Sequence, residues 1–235
     1  MSQIAGVVCL DDPARPNDIL DTLCQLNWRS TGVVRKRQAP LAAMATWRPA
    51  NATASNEPVL TGGPADGVLS VLCGRVGQNG SPLLAPGEAG WTDIDLAGAD
   101  ASRLAGLNGI FAGASWDAAA KRLTIVTDRY AYRPLYYFCD PARGLFVFSS
   151  RLTGIARCGV VTPRPNWQAC SSFACFGHCL GDETLLEGIH HVPPGKRLSF
   201  DADGLHFEQY WSPNSVVVQA VGVEAQPLAR RHVMD

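Results

Sequence analysis

The initiator Met is followed by Ser2. Removal of Met1, which a small side chain at position 2 permits, leaves a hydroxyl beside a free α-amine. That pair is one way of making a nucleophile: the amine takes the proton and the oxygen attacks. An apolar run, QIAGVVCL, starts at the very next residue and reads as a strand buried on both faces, so position 2 would stand at the end of a core strand. A second group with suitable side chains is Cys170, Cys175, His178 and Cys179. Zinc sites favour Cys-x-x-Cys knuckles and this spacing contains none, so these residues are read as helix packing and no metal is expected.

The elements that must position such groups follow from the pattern of the chain. Its 235 residues carry a net charge of −1 with acids and bases mixed, which gives no reason to expect a nucleic-acid or membrane partner. No apolar run approaches the ~18 residues of a membrane span and no signal core is present, so a cytoplasmic protein is expected. A chain this long buries roughly 70% of its unfolded surface and needs no staples, and the eight cysteines lie mostly in apolar stretches as small hydrophobes. A helix is expected near 18–26, with Ile19, Leu20, Leu23 and Leu26 on one face and Asn17 as cap. PLAAMATW (40–47) and GVLSVLCGRV (67–76) read as strands separated by loop, and a short helix fits 100–107. IFAGASWD, RLTIVTD, LYYFCD and LFVFSS read as four strands with tight connections, followed by a helix at 166–176 and two strands, GKRLSFD and LHFEQYW. Two-faced strands interrupted by amphipathic helices imply stacked sheets with helices outside.

Five stretches occur in a familiar order: IAGVV at the N-terminus, LNGIFAGASWD, TDRYAYRPLYY, FVFSSRLTGI and GIHHVPPGKRL. Over about residues 1–211 the chain resembles the glutaminase domain of asparagine synthetase B, a class II glutamine amidotransferase. The resemblance implies an α+β fold, the Ntn-type αββα sandwich of two stacked antiparallel sheets. It places the start of the first strand at the mouth of the pocket. Residues 212–235 then read as a tail or linker stub, with the ATP-dependent synthetase domain absent. TGGPADG (61–67) does not replace that domain's SGGxDS phosphate loop, because its spacing is off by one and no Ser follows the Asp.

The resemblance also assigns site positions. Ser2 stands where the family has a nucleophilic Cys, and the exchange raises the nucleophile's pKa by several units. Gly74 keeps the family's backbone N–H of the oxyanion hole, but Cys73 occupies the place of the Asn whose amide completes it. Loss of one such donor typically costs ~10²–10³ in rate, and a thiol donates weakly. Arg48 matches the Arg that clamps the carboxylate of glutamine. The Asp that holds its α-amine has no counterpart; Asp93, Asp95 and Asp100 are the acids nearby, read as turn or cap residues. Arg151 stands at a family Glu, and Ala131 and Tyr132 replace a Gly and a small aliphatic residue. Asp128 and Arg129 are retained and read as a buried pair at a strand end.

These departures imply a domain that does not hydrolyse glutamine and needs no cofactor. It resembles the degenerate N-terminal domains of lasso-peptide cyclases and β-lactam synthetase, which serve as scaffold for an ATP-dependent synthetase or cyclase domain or partner. The alternative is an active N-terminal-Ser amidohydrolase with a changed substrate. Trp167, Phe173, Phe176 and Trp211 crowd the end of the domain, so an apolar docking surface is expected there, covered by a partner chain, a homodimer mate or the tail.

Overall fold

In the computed structural model, which describes residues 3–27, 32–51, 58–63, 67–78, 81–84, 96 and 98–214, the order of elements is β1 (Gln3–Cys9), α1 (Arg15–Asn27), β2 (Gly32–Ala39), β3 (Ala42–Pro49), β4 (Val59–Gly62) and β5 (Val68–Gln78). Then come α2 (Ala101–Ala105), β6 (Leu107–Asp117), β7 (Arg122–Thr127), β8 (Tyr136–Asp140) and β9 (Leu145–Ser149). The last described elements are α3 (Leu152–Arg157), α4 (Trp167–Phe176), β10 (Ile189–His191), β11 (Lys196–Asp201) and β12 (Gly204–Gln209). The strands form two sheets with every named pair antiparallel, one in the order β10-β8-β9-β1-β3-β2 and the other β12-β11-β7-β6-β5-β4.

The period-2 alternation of each strand decides where its side chains go. Ile4 and Val8 of β1, Phe146 and Phe148 of β9, Leu69, Val71 and Cys73 of β5, and Leu123 and Ile125 of β7 fill one core between the sheets. The intervening residues of β1 and β9 (Ala5, Val7, Cys9, Leu145 and Val147) face outward onto Ile19, Leu20 and Leu23 of α1 and Ile155 of α3. On the far side of the other sheet, Leu72, Val76, Phe111 and Val126 meet Leu96, Ala99, Leu104 of α2 and Tyr210. The result is the αββα sandwich with unequal covers: a 13-residue helix on one face, and on the other a 5-residue helix plus connecting segments. The expected buried residues Val7, Val71, Phe111 and Ile125 are all 2% exposed or less, and β1 lies at the centre of its sheet.

Several local expectations change. Asn17 does not cap α1; the helix starts two residues earlier at Arg15, so Asn17 lies within its first turn. The stretch read as loop between residues 48 and 66 contains β4, which pairs with Leu69–Leu72 of β5. β2 went unassigned because it is an edge strand, exposed at every position except Ala39, and its RKR charges hide the alternation. β10 and α3 are too short, at 3 and 6 residues, to show a period.

Close packing is tightest over Gly6, the cross-strand partner of Phe148. A Cβ there would come within 2.4 Å of the Phe148 ring and 3.1 Å of Met44. The aromatic ring therefore lies directly on the backbone of β1, and only glycine leaves room for it. Gly6→Ala is expected to destabilise the protein by about 1–3 kcal/mol through overpacking. A lowered denaturation midpoint in urea at unchanged slope would bear this out; an unchanged midpoint would show that the Phe148 ring is free to move aside.

Candidate functional site

The site is organised from the end of β7. Asp128, 1% exposed, accepts hydrogen bonds through its carboxylate from four backbone N–H groups: Phe111 at 3.3 Å, Tyr130 at 3.0 Å, Tyr132 at 3.2 Å and Arg133 at 3.4 Å. Its own backbone carbonyl accepts from Ala131 at 3.0 Å. One buried charge thus winds residues 128–133 into a tight loop against β6, with Ala131 held at φ 51°. A buried carboxylate is tolerable only when its lone pairs are satisfied in this way. The expected pairing of Asp128 with Arg129 is replaced by this arrangement. Arg129 turns away, donating to the Ala105 carbonyl at 2.7 Å and lying 5.8 Å over the Trp211 ring.

The loop delivers Arg133 to β5. Its Nε stands 2.9 Å from where a Cβ of Gly74 would be, and its charge lies near enough to Cys73 to act on the thiol's pKa. Cys73 is 1% exposed, and burial pushes its thiol pKa up despite the lowering effect of the Arg133 charge. A neutral, enclosed thiol is neither a nucleophile nor a strong donor. Gly74 has φ 111°, and a side chain there would meet the Ile110 carbonyl oxygen at 2.1 Å, so backbone close approach requires a glycine. Arg133 was not singled out from sequence. Its signal was a basic residue just before Pro134, at the end of a loop whose start was legible.

The two sheets bring other assigned positions towards this seam. Cys73 shares the inter-sheet core with Ile4 of β1. Gln3 pairs with Trp47, so half-buried Arg48 follows directly beside the N-terminal end of β1. That end is fastened on its other side by Ser150, whose hydroxyl accepts from the Ile4 N–H at 3.0 Å while its own N–H donates to the Ile4 carbonyl at 2.9 Å. Arg151, the residue at the family's Glu position, continues from that clamp, with its N–H on the Ser149 hydroxyl at 3.1 Å. Ser2, Asp93 and Asp95 lie outside the described residues. Asp100 is the N-cap of α2, accepting from the Arg103 N–H and the Ser102 hydroxyl, both at 2.8 Å. Those bonds, with the Arg103 N–H foremost, hold its carboxyl below the usual range. Its role is capping, as the sequence suggested.

The Cys170, Cys175, His178 and Cys179 group does not converge: among the described residues, the His/Cys/Asp/Glu cluster at ligand distance contains none of them. Cys175 is exposed and Cys170 and Cys179 are half-buried. No helix among the described residues is long and apolar enough to cross a membrane.

The chain resembles known proteins in both sequence and fold. Residues 95–211 match the glutamine amidotransferase domain family. The chain is 30% identical over 110 residues to asparagine synthetase [glutamine-hydrolyzing] 3 of Bacillus subtilis, an alignment covering 46% of this chain and 18% of that protein. Among solved structures, the glutamine phosphoribosylpyrophosphate amidotransferase of B. subtilis superposes with a TM-score of 0.50 at 13% identity, covering 89% of this chain and 49% of that one. That likeness speaks for the fold. The chain thus spans only part of the length of either relative.

The loop gives a paired test of its electrostatic and steric parts. Asp128→Asn replaces an acceptor oxygen by an amide nitrogen facing N–H donors and is expected to cost on the order of 2–3 kcal/mol. Ala131→Gly relieves a left-handed backbone and is expected to gain roughly 0.5–1 kcal/mol. Urea unfolding of both variants reads the two signs; the same sign for both would overturn this account of the loop.

Proposed function

Because the chain belongs to the class II glutamine amidotransferases, on the asparagine synthetase side of that family, we propose that it is a domain of this type that has lost glutaminase activity and acts as scaffold for an ATP-dependent amide-forming synthetase or cyclase. In this reading residues 1–211 are the domain and 212–235 lead away from it. The observation that carries the loss of activity is the buried Cys73 thiol. At the position assigned to the oxyanion-hole amide there is a buried thiol whose pKa is raised by burial, with the Arg133 charge nearby. A hole for a developing oxyanion needs donors aimed at an open space ~2.7–3.1 Å away. Here a weakly donating thiol stands where the amide donor is needed.

The partner reading rests on α4. Trp167 is 74% exposed, Phe176 62% and Phe173 48%, and of the helix only Ala169 is buried. The expected fourth member of this patch, Trp211, belongs elsewhere: it is half-buried, 5.0 Å from the Tyr130 ring. Three large aromatics along one short helix are an apolar load that soluble monomers seldom display. A synthetase domain or subunit would cover them.

A second reading, an active N-terminal-Ser amidohydrolase with a different substrate, is favoured by Gly74 and by the presence of some cationic donor, Arg133, at the hole. The two separate in one assay. With purified full chain and glutamine, ammonia release is expected at background, unchanged by Ser2→Ala. Turnover that Ser2→Ala abolishes would replace the scaffold reading with the hydrolase.

The α4 face has its own test. Trp167→Ser combined with Phe176→Ser should sharply reduce binding of an apolar dye and any concentration-dependent association. Stability should move by no more than about 0.5 kcal/mol, as for exposed positions generally. Unfolding of the double variant would mean that these rings are covered by the chain itself.

A further inference from the structure

The turn between α4 and β10 gathers three side chains that neither the family resemblance nor the proposed function uses. One potential ligand atom each from Asp182, Glu183 and His190 lies within 4.8 Å of the other two. Ligands ~2.0–2.2 Å from an ion stand roughly 3–4.4 Å apart, so closure onto a cation needs only a small side-chain adjustment. His190 Nδ1 is shielded from solvent, has no hydrogen-bond partner, and faces Asp182 Oδ2 at 3.8 Å. That distance is too long for a hydrogen bond. Among the described residues no Lys or Arg forms an ion pair with Asp182 or Glu183. Two carboxylates and an orphaned imidazole nitrogen therefore converge, and among the described residues neither carboxylate is ion-paired to a Lys or Arg.

We propose that Asp182, Glu183 and His190 form a site for a divalent first-row metal ion, of the Mn²⁺ or Zn²⁺ kind. One imidazole with two carboxylates suits such first-row ions, which accept mixed nitrogen and oxygen ligands, better than Mg²⁺ or Ca²⁺, which prefer all-oxygen sets. The ligands are held by partners of their own, as working metal sites require. Asn166, the N-cap of α4, donates its side-chain amide to Glu183. The Asp182 carbonyl accepts from the His191 N–H at 2.8 Å, and the buried Thr184 hydroxyl closes the turn onto the Ile189 carbonyl at 2.6 Å. The His190 ring stacks on Tyr137 at 5.5 Å, which fixes its plane. Asp182 also lines an open cleft of about 390 Å³ with Lys196 and Phe207.

Mn²⁺ is the probe of choice, since it avoids the exposed Cys175 thiol. The full chain, freed of metal with a chelator, is titrated while the electron paramagnetic resonance signal of free Mn²⁺ is followed. Saturable loss of signal at one ion per chain is expected, with at least tenfold weaker binding in each of Asp182→Asn, Glu183→Gln and His190→Gln. Asp203→Asn, on a distant surface turn, should leave it unchanged. Absence of saturable binding overturns the site. So does affinity that is the same in all three ligand variants; Glu183 is exposed, so Glu183→Gln folds regardless and keeps the comparison decisive.

Discussion

One buried carboxylate governs the geometry of the whole seam. Asp128 sits where β7 leaves the sheet, and its two oxygens take up backbone N–H groups from β6 and from three residues of the following loop. Nothing else in the loop 128–133 is buried, so hydrophobic packing does not shape it. Its conformation follows from satisfying one charge, and the cost is visible in Ala131, forced to φ 51° with no side-chain advantage there. Because the loop ends at Leu135, which is fully buried ahead of β8, the same carboxylate also sets where the chain crosses from one sheet to the other.

What that loop delivers to β5 decides the electrostatics of the site. A guanidinium beside a fully enclosed thiol lowers the thiol's pKa, yet burial outweighs it and the net shift is upward. Position 73 therefore holds a neutral thiol near a cation, with no reactive anion. An asparagine amide at position 73 would have its donors available to a third group. The thiol has almost nothing to offer one.

Much of this was legible in the chain. The two-faced apolar runs of β1, β5, β7 and β9 announced a sandwich, and the alternation within each assigned its residues to the inner or outer layer with few exceptions. Cys73 stood out because it sat beside Gly74 where an amide was expected. Elements without a periodic signal were missed: the charged edge strand β2, and β4, whose four residues sit in turn-rich sequence. The partners of Asp128 were missed for another reason. They are backbone groups, and sequence says nothing directly about which N–H groups a carboxylate will meet. The Asp182, Glu183 and His190 cluster was equally invisible, since its members are brought together by a turn pinned through Thr184, a residue with no chemistry of its own to advertise.

The positions that keep the family pattern and those that abandon it differ in physical role. Gly6 lies under the Phe148 ring; Gly74 lies against the Ile110 carbonyl; a side chain on Gly195 would meet the Trp211 carbonyl oxygen at 2.4 Å. The Gly195 carbonyl also accepts from the Tyr210 and Trp211 N–H groups at 2.9 and 3.0 Å, and Asp128 organises its loop. Each of these serves close packing or backbone geometry, and none needs a substrate to explain it. Cys73, assigned to the amide position from sequence, leaves the inter-sheet core full, because a thiol packs in an apolar layer as a small hydrophobe. Ala131 departs at a tolerable cost in backbone strain. A chain under demand for both fold and hydrolysis would have to keep an open donor at position 73, and a chain under demand for fold alone would be free to fill it. The scaffold reading proposed above takes the packing around Cys73 as the second case, and so rests on this residue more than on the identity of residue 2.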